Sequence, residues 1–195
     1  MPRKKREASP TGVYHWIVRG MNRRNLFCHD TDFQKFRDLL AEYKATYKID
    51  IYHYCFMTNH VHLLIWAKEL GQVSDFSHYV QRRYAYYYCE KYKRTGSVFQ
   101  RGYRSFPIDK DEYLLECGRY IERNPVKARI VTRAEDYAQS SFRFYAFGEV
   151  DGLLNVSPAY EELSFVIEQR REIYEGYVNK TRVQEEMFEK GLLAV

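Results

Sequence analysis

The sequence has no run of about 18 apolar residues, so nothing in it reads as a membrane-spanning helix. It has no Cys-x-x-Cys pair. Its four cysteines (Cys28, Cys55, Cys89 and Cys117) stand far apart, which argues against a zinc ribbon or a disulfide framework and favours a reducing cytoplasm. No apolar stretch follows the basic start Met-Pro-Arg-Lys-Lys-Arg, so no secretory signal is expected. No internal repeat is visible. With 45% apolar and 29% charged residues over 195 positions, the chain has the composition of one folded domain with at most an appendage.

What is abundant is tyrosine, 19 residues against 12 phenylalanines, and positive charge in one part of the chain. Residues 149–195 carry 10 acids and 5 cations, whereas residues 1–148 carry 26 cations and 16 acids. A basic body with an acidic tail suits a polyanionic partner for the body. Ordinary surface charge is the plainer reading of the same numbers.

Aromatic and β-branched runs predict strands over 13–19, 49–57 and 60–66, the last two joined by a Thr58-Asn59 turn. Apolar residues at helical spacing predict a helix after Asp30 or Thr31, a long helix from Ser74-Asp75 to about Arg94, and a third over 109–123. Pro125 should stop that third helix. A short strand is expected over 104–108, and residues 1–11 read as a basic arm. The order strand, helix, strand, strand, helix, strand, helix suggests an α+β fold, a ferredoxin-like antiparallel sheet with helices on one face. Residues 125–157 look irregular, and 158–190 read as one or two amphipathic helices. The expected division is a body at 1–148 and an acidic helical extension at 149–195, which either completes the core or lies over the basic body as a lid.

Three features carry chemistry. His60-Val61-His62 in a strand puts both imidazoles on one side, a half-site for a divalent metal or simply two surface histidines. Tyr120 and Asn124 share a helix face at i and i+4. The phenol is a potential nucleophile, and the carboxamide is a potential hard ligand or a helix terminator. Residues 82–104 hold seven cations against one acid, interleaved with aromatics that could stack on bases or face the core.

Taken together, these features resemble the single-tyrosine transposases of the HUH class, and most closely the REP-associated branch. The resemblance runs from about Tyr14 to Ser141. It rests on His15–Gly20, on Met57-Thr58-Asn59-His60-Val61-His62-Leu63-Leu64, on Gly96–Ser105, and on Arg119-Tyr120-Ile121-Glu122-Arg123-Asn124-Pro125-Val126-Lys127-Ala128. The chain departs from the family pattern at Thr58, at Arg101-Gly102-Tyr103 and at Gln139. The resemblance implies cleavage and rejoining of single-stranded DNA at hairpin-forming palindromes. In that reading Tyr120 attacks a phosphodiester and is left as a 5′-phosphotyrosine. His60, His62 and Asn124 hold Mg²⁺ or Mn²⁺. Arg19, Asn22, Arg23, Arg24, Arg82, Arg83, Arg101 and Arg104 are the candidates for DNA contact, and a monomer is favoured over a homodimer. A non-catalytic nucleic-acid module, a water-using metallohydrolase and an inactive domesticated relative are the alternatives.

Overall fold

The computed structural model describes residues 6–100 and 102–180. Four strands form one antiparallel sheet: β1 (Val13–Arg19), β2 (Asp50–Met57), β3 (His60–Trp66) and β4 (Arg104–Pro107), in the order β2-β3-β1-β4. The helices are α1 (Asp30–Tyr47), α2 (Leu70–Tyr92), α3 (Glu112–Glu122), α4 (Asn124–Lys127), α5 (Phe142–Phe147), α6 (Pro158–Glu161) and α7 (Ile167–Asn179). This is the ferredoxin-like arrangement that the order of elements predicted.

Alternation along the strands creates two different faces. Tyr14, Trp16, Val18, Val61, Leu63 and Ile65 face α1 and α2, where Phe36, Leu39, Phe76, Val80 and Tyr84 complete the main core. Each such fully buried side chain contributes about 1.5–3 kcal/mol of transfer free energy. The buried Trp16 indole meets its polar obligation by donating to Ser77 Oγ at 3.1 Å. On the opposite face Val13, Cys55, Met57 and Leu64 pack against Leu114, Cys117 and Ile121 of α3. The layer of α1 and α2 on one face is as expected, and α3 adds a second layer on the other.

The tyrosine excess has a structural explanation. Tyr84 and Tyr88 hydroxyls donate to the Leu26 and Asn25 carbonyls, fixing the loop before α1. Tyr87, Tyr92 and Lys91 converge on the buried Asp32 carboxylate, which also accepts the Cys28 and His29 N–H groups at the start of α1. Burial pushes that carboxyl up in pKa, but the Lys91 ammonium, the Tyr92 hydroxyl and the other donors outweigh it and hold Asp32 below the ordinary carboxylate range. Of the aromatics in the 82–104 stretch, Tyr86 is the one left strongly exposed on α2.

Several element boundaries differ from expectation. α2 begins at Leu70, not at Ser74-Asp75, because Gln72 Oε1 accepts the Glu69 N–H at 2.8 Å and caps the helix a turn earlier. The Ser74 hydroxyl instead bonds back to the Leu70 carbonyl. Pro125 does not end the helical path. A further turn, α4, follows, and the Asn124 side-chain amide donates to the Tyr120 and Ile121 carbonyls at 2.9 and 3.2 Å. It thereby satisfies the Ile121 carbonyl that Pro125, lacking an N–H, cannot reach. Within the stretch read as irregular, 125–157, the structure forms α5. Residues 181–190 of the expected C-terminal helices and residues 1–5 of the arm lie outside the described residues. The rest of the arm is tied down, since Ser9 and Thr11 hydroxyls both donate to the Ile108 carbonyl.

Gly118 lies against the buried His53 ring, with an ideal Cβ only 2.7 Å from two of its ring atoms. Both neighbours are fully packed, so Gly118→Ala should destabilise the fold by about 1–3 kcal/mol, as overpacking does. Thermal or urea denaturation checks this, and an unchanged midpoint would contradict it.

Candidate active site

Strand register builds one polar surface beneath α3. Directly opposed residues share a face, so Met57, His60 and Arg19 form one row across the sheet, and Cys55, His62, Ile17 and Arg104 form the next. A third row contains Leu64, His15 and Phe106. Arg19 on β1 and Arg104 on β4, two of the expected DNA-contact residues, share this face with the two histidines, both on the β1 side of β3, and both arginines are exposed.

α3 carries Tyr120 to this surface. Its ring centroid lies 6.1 Å from that of His62 and 5.8 Å from that of His15, edge-on in both cases. The apolar side of α3 fixes that approach, because Leu114, Cys117 and Ile121 are buried on the sheet while Tyr120 stays half-exposed beside them. The Lys127 ammonium sits 4.5 Å from the Tyr120 ring centroid, two helical turns along the same side.

Hydrogen bonds orient the histidine pair. His60 Nδ1 meets Asn59 Oδ1 at 2.6 Å, and His62 Nδ1 meets His15 Nε2 at 2.9 Å. These contacts use Nδ1 of each ring, so Nε2 is the atom that could hold a metal, the usual division of labour in a metal-binding histidine. Burial, and then the Arg19 charge, push the His60 imidazole down to about 4, and burial with the neighbouring His15 pushes His62 well below its ordinary value. Both rings are thus neutral near pH 7, the form a metal ligand requires.

The donor set fits a hard divalent ion in part. Among the described residues no three His, Cys, Asp or Glu side chains cluster as a metal site. The Asn124 carboxamide is a donor of another type: its nitrogen is committed to the Tyr120 and Ile121 carbonyls, so its oxygen is the end that could act as a ligand.

The other expected residues distribute unevenly. Asn22 and Arg23 are exposed in the turn after β1, both in the left-handed backbone region, and Arg24 is half-buried beside them. Arg82 and Arg83 are exposed on α2, in the layer across the sheet from His60, His62 and Tyr120. Arg101 lies outside the described residues. His15 and Lys127 also adjoin Tyr120, although neither is among the site residues expected from the sequence. His15 is fully buried, and burial pushes it down to about 3. Its signal was its place in a strand next to the two-histidine strand, and that of Lys127 was its i+7 spacing from Tyr120.

A family model described as "Transposase IS200 like" matches residues 9–124. One solved structure, described as a REP-associated tyrosine transposase bound to a REP hairpin, is similar to this chain with a TM-score of 0.65 at 19% identity, covering 80% of this chain and 96% of that one. Another, a candidate transposase from Deinococcus radiodurans R1, has a TM-score of 0.43 at 18% identity and covers 63% of this chain and 97% of that one. At 19% identity the first likeness is one of fold. No curated protein matches the sequence. Among the described residues no helix is long and apolar enough to cross a membrane.

Proposed function

The chain belongs to the IS200-like transposase family, and from that premise we propose that it cleaves and rejoins single-stranded DNA beside hairpin-forming palindromes, with Tyr120 as the nucleophile. The observation that carries this reading is the juxtaposition of Tyr120 with two oriented, neutral imidazoles on a sheet face that also carries Arg19 and Arg104. The solved structure of similar fold is bound to a REP hairpin, which supports a hairpin-containing strand as substrate.

In the proposed step the Tyr120 oxygen attacks phosphorus and the P–O3′ bond breaks. The phenol loses its proton, the departing 3′ oxygen gains one, and the 5′ phosphate stays on the tyrosine. Reversal by a 3′-OH rejoins a strand, so neither ATP nor water is consumed. Arg19 and Arg104, both on the β1 side of the histidine strand, contact phosphates next to the reacting one and set its position. Lys127 places a positive charge next to the phenol and the phosphate. A divalent ion, Mg²⁺ or Mn²⁺, held by His60 and His62 with Asn124, would supply Lewis-acid stabilisation of charge developing on the phosphoryl oxygens. Preorganisation of phenol and phosphate within one helical turn is the contribution of α3. One chain brings these groups together, which favours a monomer as the working unit.

The test is cleavage of a labelled single strand carrying a palindromic hairpin, with a scrambled strand of equal length as control. Cleavage of the first alone is expected. Affinity should also fall with salt at a log–log slope of about −0.7 per phosphate contact. Equal handling of both strands, or salt-independent binding, would contradict the reading.

A further inference from the structure

The family match ends at Asn124, yet the helix that carries Tyr120 is held from behind by residues beyond it. Glu122, two residues from Tyr120, is fully buried. Its Oε1 accepts from Ser141 Oγ at 2.6 Å and meets His53 Nδ1 at 3.0 Å, and its Oε2 accepts from the Tyr174 hydroxyl at 2.7 Å. One carboxylate thus ties α3 to β2, to the start of α5 and to α7. On the same side of α3, Arg119 Nε donates to the Tyr177 carbonyl at 2.9 Å and Arg119 Nη2 to the Lys180 carbonyl. Arg123 Nη1 donates to the Val178 carbonyl at 2.9 Å. The Tyr177 and Val178 carbonyls belong to the last turn of α7, where cations are favoured.

The geometry points to α7 as a brace that sets the rotation of α3, with Glu122 and Tyr174 as positioning residues for the Tyr120 nucleophile. The apolar contacts of Leu114, Cys117 and Ile121 with the sheet are non-directional, and alone they tolerate a small roll of the helix. Hydrogen bonds from positions 119, 122 and 123 are directional and restrict it. At a side-chain radius of about 6 Å, a roll of roughly 10° moves the phenol by about 1 Å. A displacement of that size is enough to cost about a hundredfold in rate. The brace gives residues 142–180 a function in the reaction, although no side chain among them is required to touch DNA.

This inference rests on Tyr120 being the nucleophile, and its test keeps the two apart. The full chain and its Tyr174→Phe and Arg119→Lys variants would be mixed with saturating hairpin strand and Mn²⁺. The single-turnover rate of covalent adduct formation, the Kd for DNA, the melting temperature and amide hydrogen exchange in α3 would be read for each. The brace predicts an adduct rate about tenfold to a hundredfold lower in Tyr174→Phe. It also predicts faster exchange in α3 and a DNA Kd within about twofold of the parent. Variants that are less thermostable but react at the parent rate would overturn the brace, as would insoluble protein from both, which would assign α7 to the core alone. Absence of any adduct in the parent chain would overturn the nucleophile reading, and the brace with it.

Discussion

Tyr120→Phe is expected to eliminate the covalent protein–DNA adduct and strand cleavage together, while leaving fold and DNA affinity nearly intact. The substitution removes only a hydroxyl. The ring keeps its edge-on packing with His15 and His62 and its place beside the Lys127 ammonium. The Asn124 side-chain bond goes to the Tyr120 backbone carbonyl and is also retained. Loss of one half-exposed hydroxyl should change stability by no more than about 1 kcal/mol. DNA affinity rests on many phosphate contacts, so it should stay within about threefold. A metallohydrolase that uses water would keep cleaving after this change, so retained cleavage would replace covalent catalysis with that alternative.

The second large effect concerns the histidine pair. His60→Ala and His62→Ala should each lower the rate of adduct formation by on the order of a hundredfold or more, the scale seen when one preorganised electrostatic contact to a transition state is removed. The double variant should be inactive, and hairpin binding should largely survive in all three. The two residues differ in what else they do. His60 is half-buried and bonded to Asn59, so its loss should be structurally mild. His62 is 5% exposed and stacked on His15 with ring centroids 5.1 Å apart, so its truncation leaves a small void and an unpaired His15 nitrogen. A melting curve for each variant separates that cost from the catalytic one. Mn²⁺ affinity measured by calorimetry should fall in parallel with rate. Full activity in the double alanine variant would remove the metal reading, whatever Tyr120 does.

The parts of this site that could be read from sequence are those whose logic is local. His60 and His62 share a face because strand side chains alternate. Tyr120 and Asn124 share one because a helix repeats every 3.6 residues. The strands were visible as aromatic and β-branched runs because nearly every residue in β2 and β3 is buried on one face or the other. What could not be read depends on distant pairing. Glu122 gives no local sign of being a hub, because its partners Ser141, Tyr174 and His53 lie 19, 52 and 69 positions away. His15 becomes part of the site only through the β1–β3 register. In the sequence Asn124 reads as a ligand or a helix terminator. The structure adds that its amide nitrogen completes the hydrogen bonding around Pro125, which explains why asparagine precedes proline there independently of any metal. The basic stretch at 82–104 shows the limit of composition: Arg82, Arg83, Lys93, Arg94 and Arg104 are exposed, but Lys91 pairs with the buried Asp32, and most tyrosines of the stretch anchor α2 to the loop before α1 or to Asp32.

The most direct measurement is to trap the reaction of the full-length chain with a fluorescent hairpin strand and Mn²⁺, denature it, digest it and map the nucleotide-bearing peptide by mass spectrometry. The account predicts a single modified residue, Tyr120, carrying the 5′ phosphate of the downstream fragment. Tyr113, seven residues earlier on α3 and 45% exposed, is the most credible substitute. A nucleotide mapped to Tyr113, or cleavage that yields a free 5′ phosphate and no adduct, would contradict the assignment.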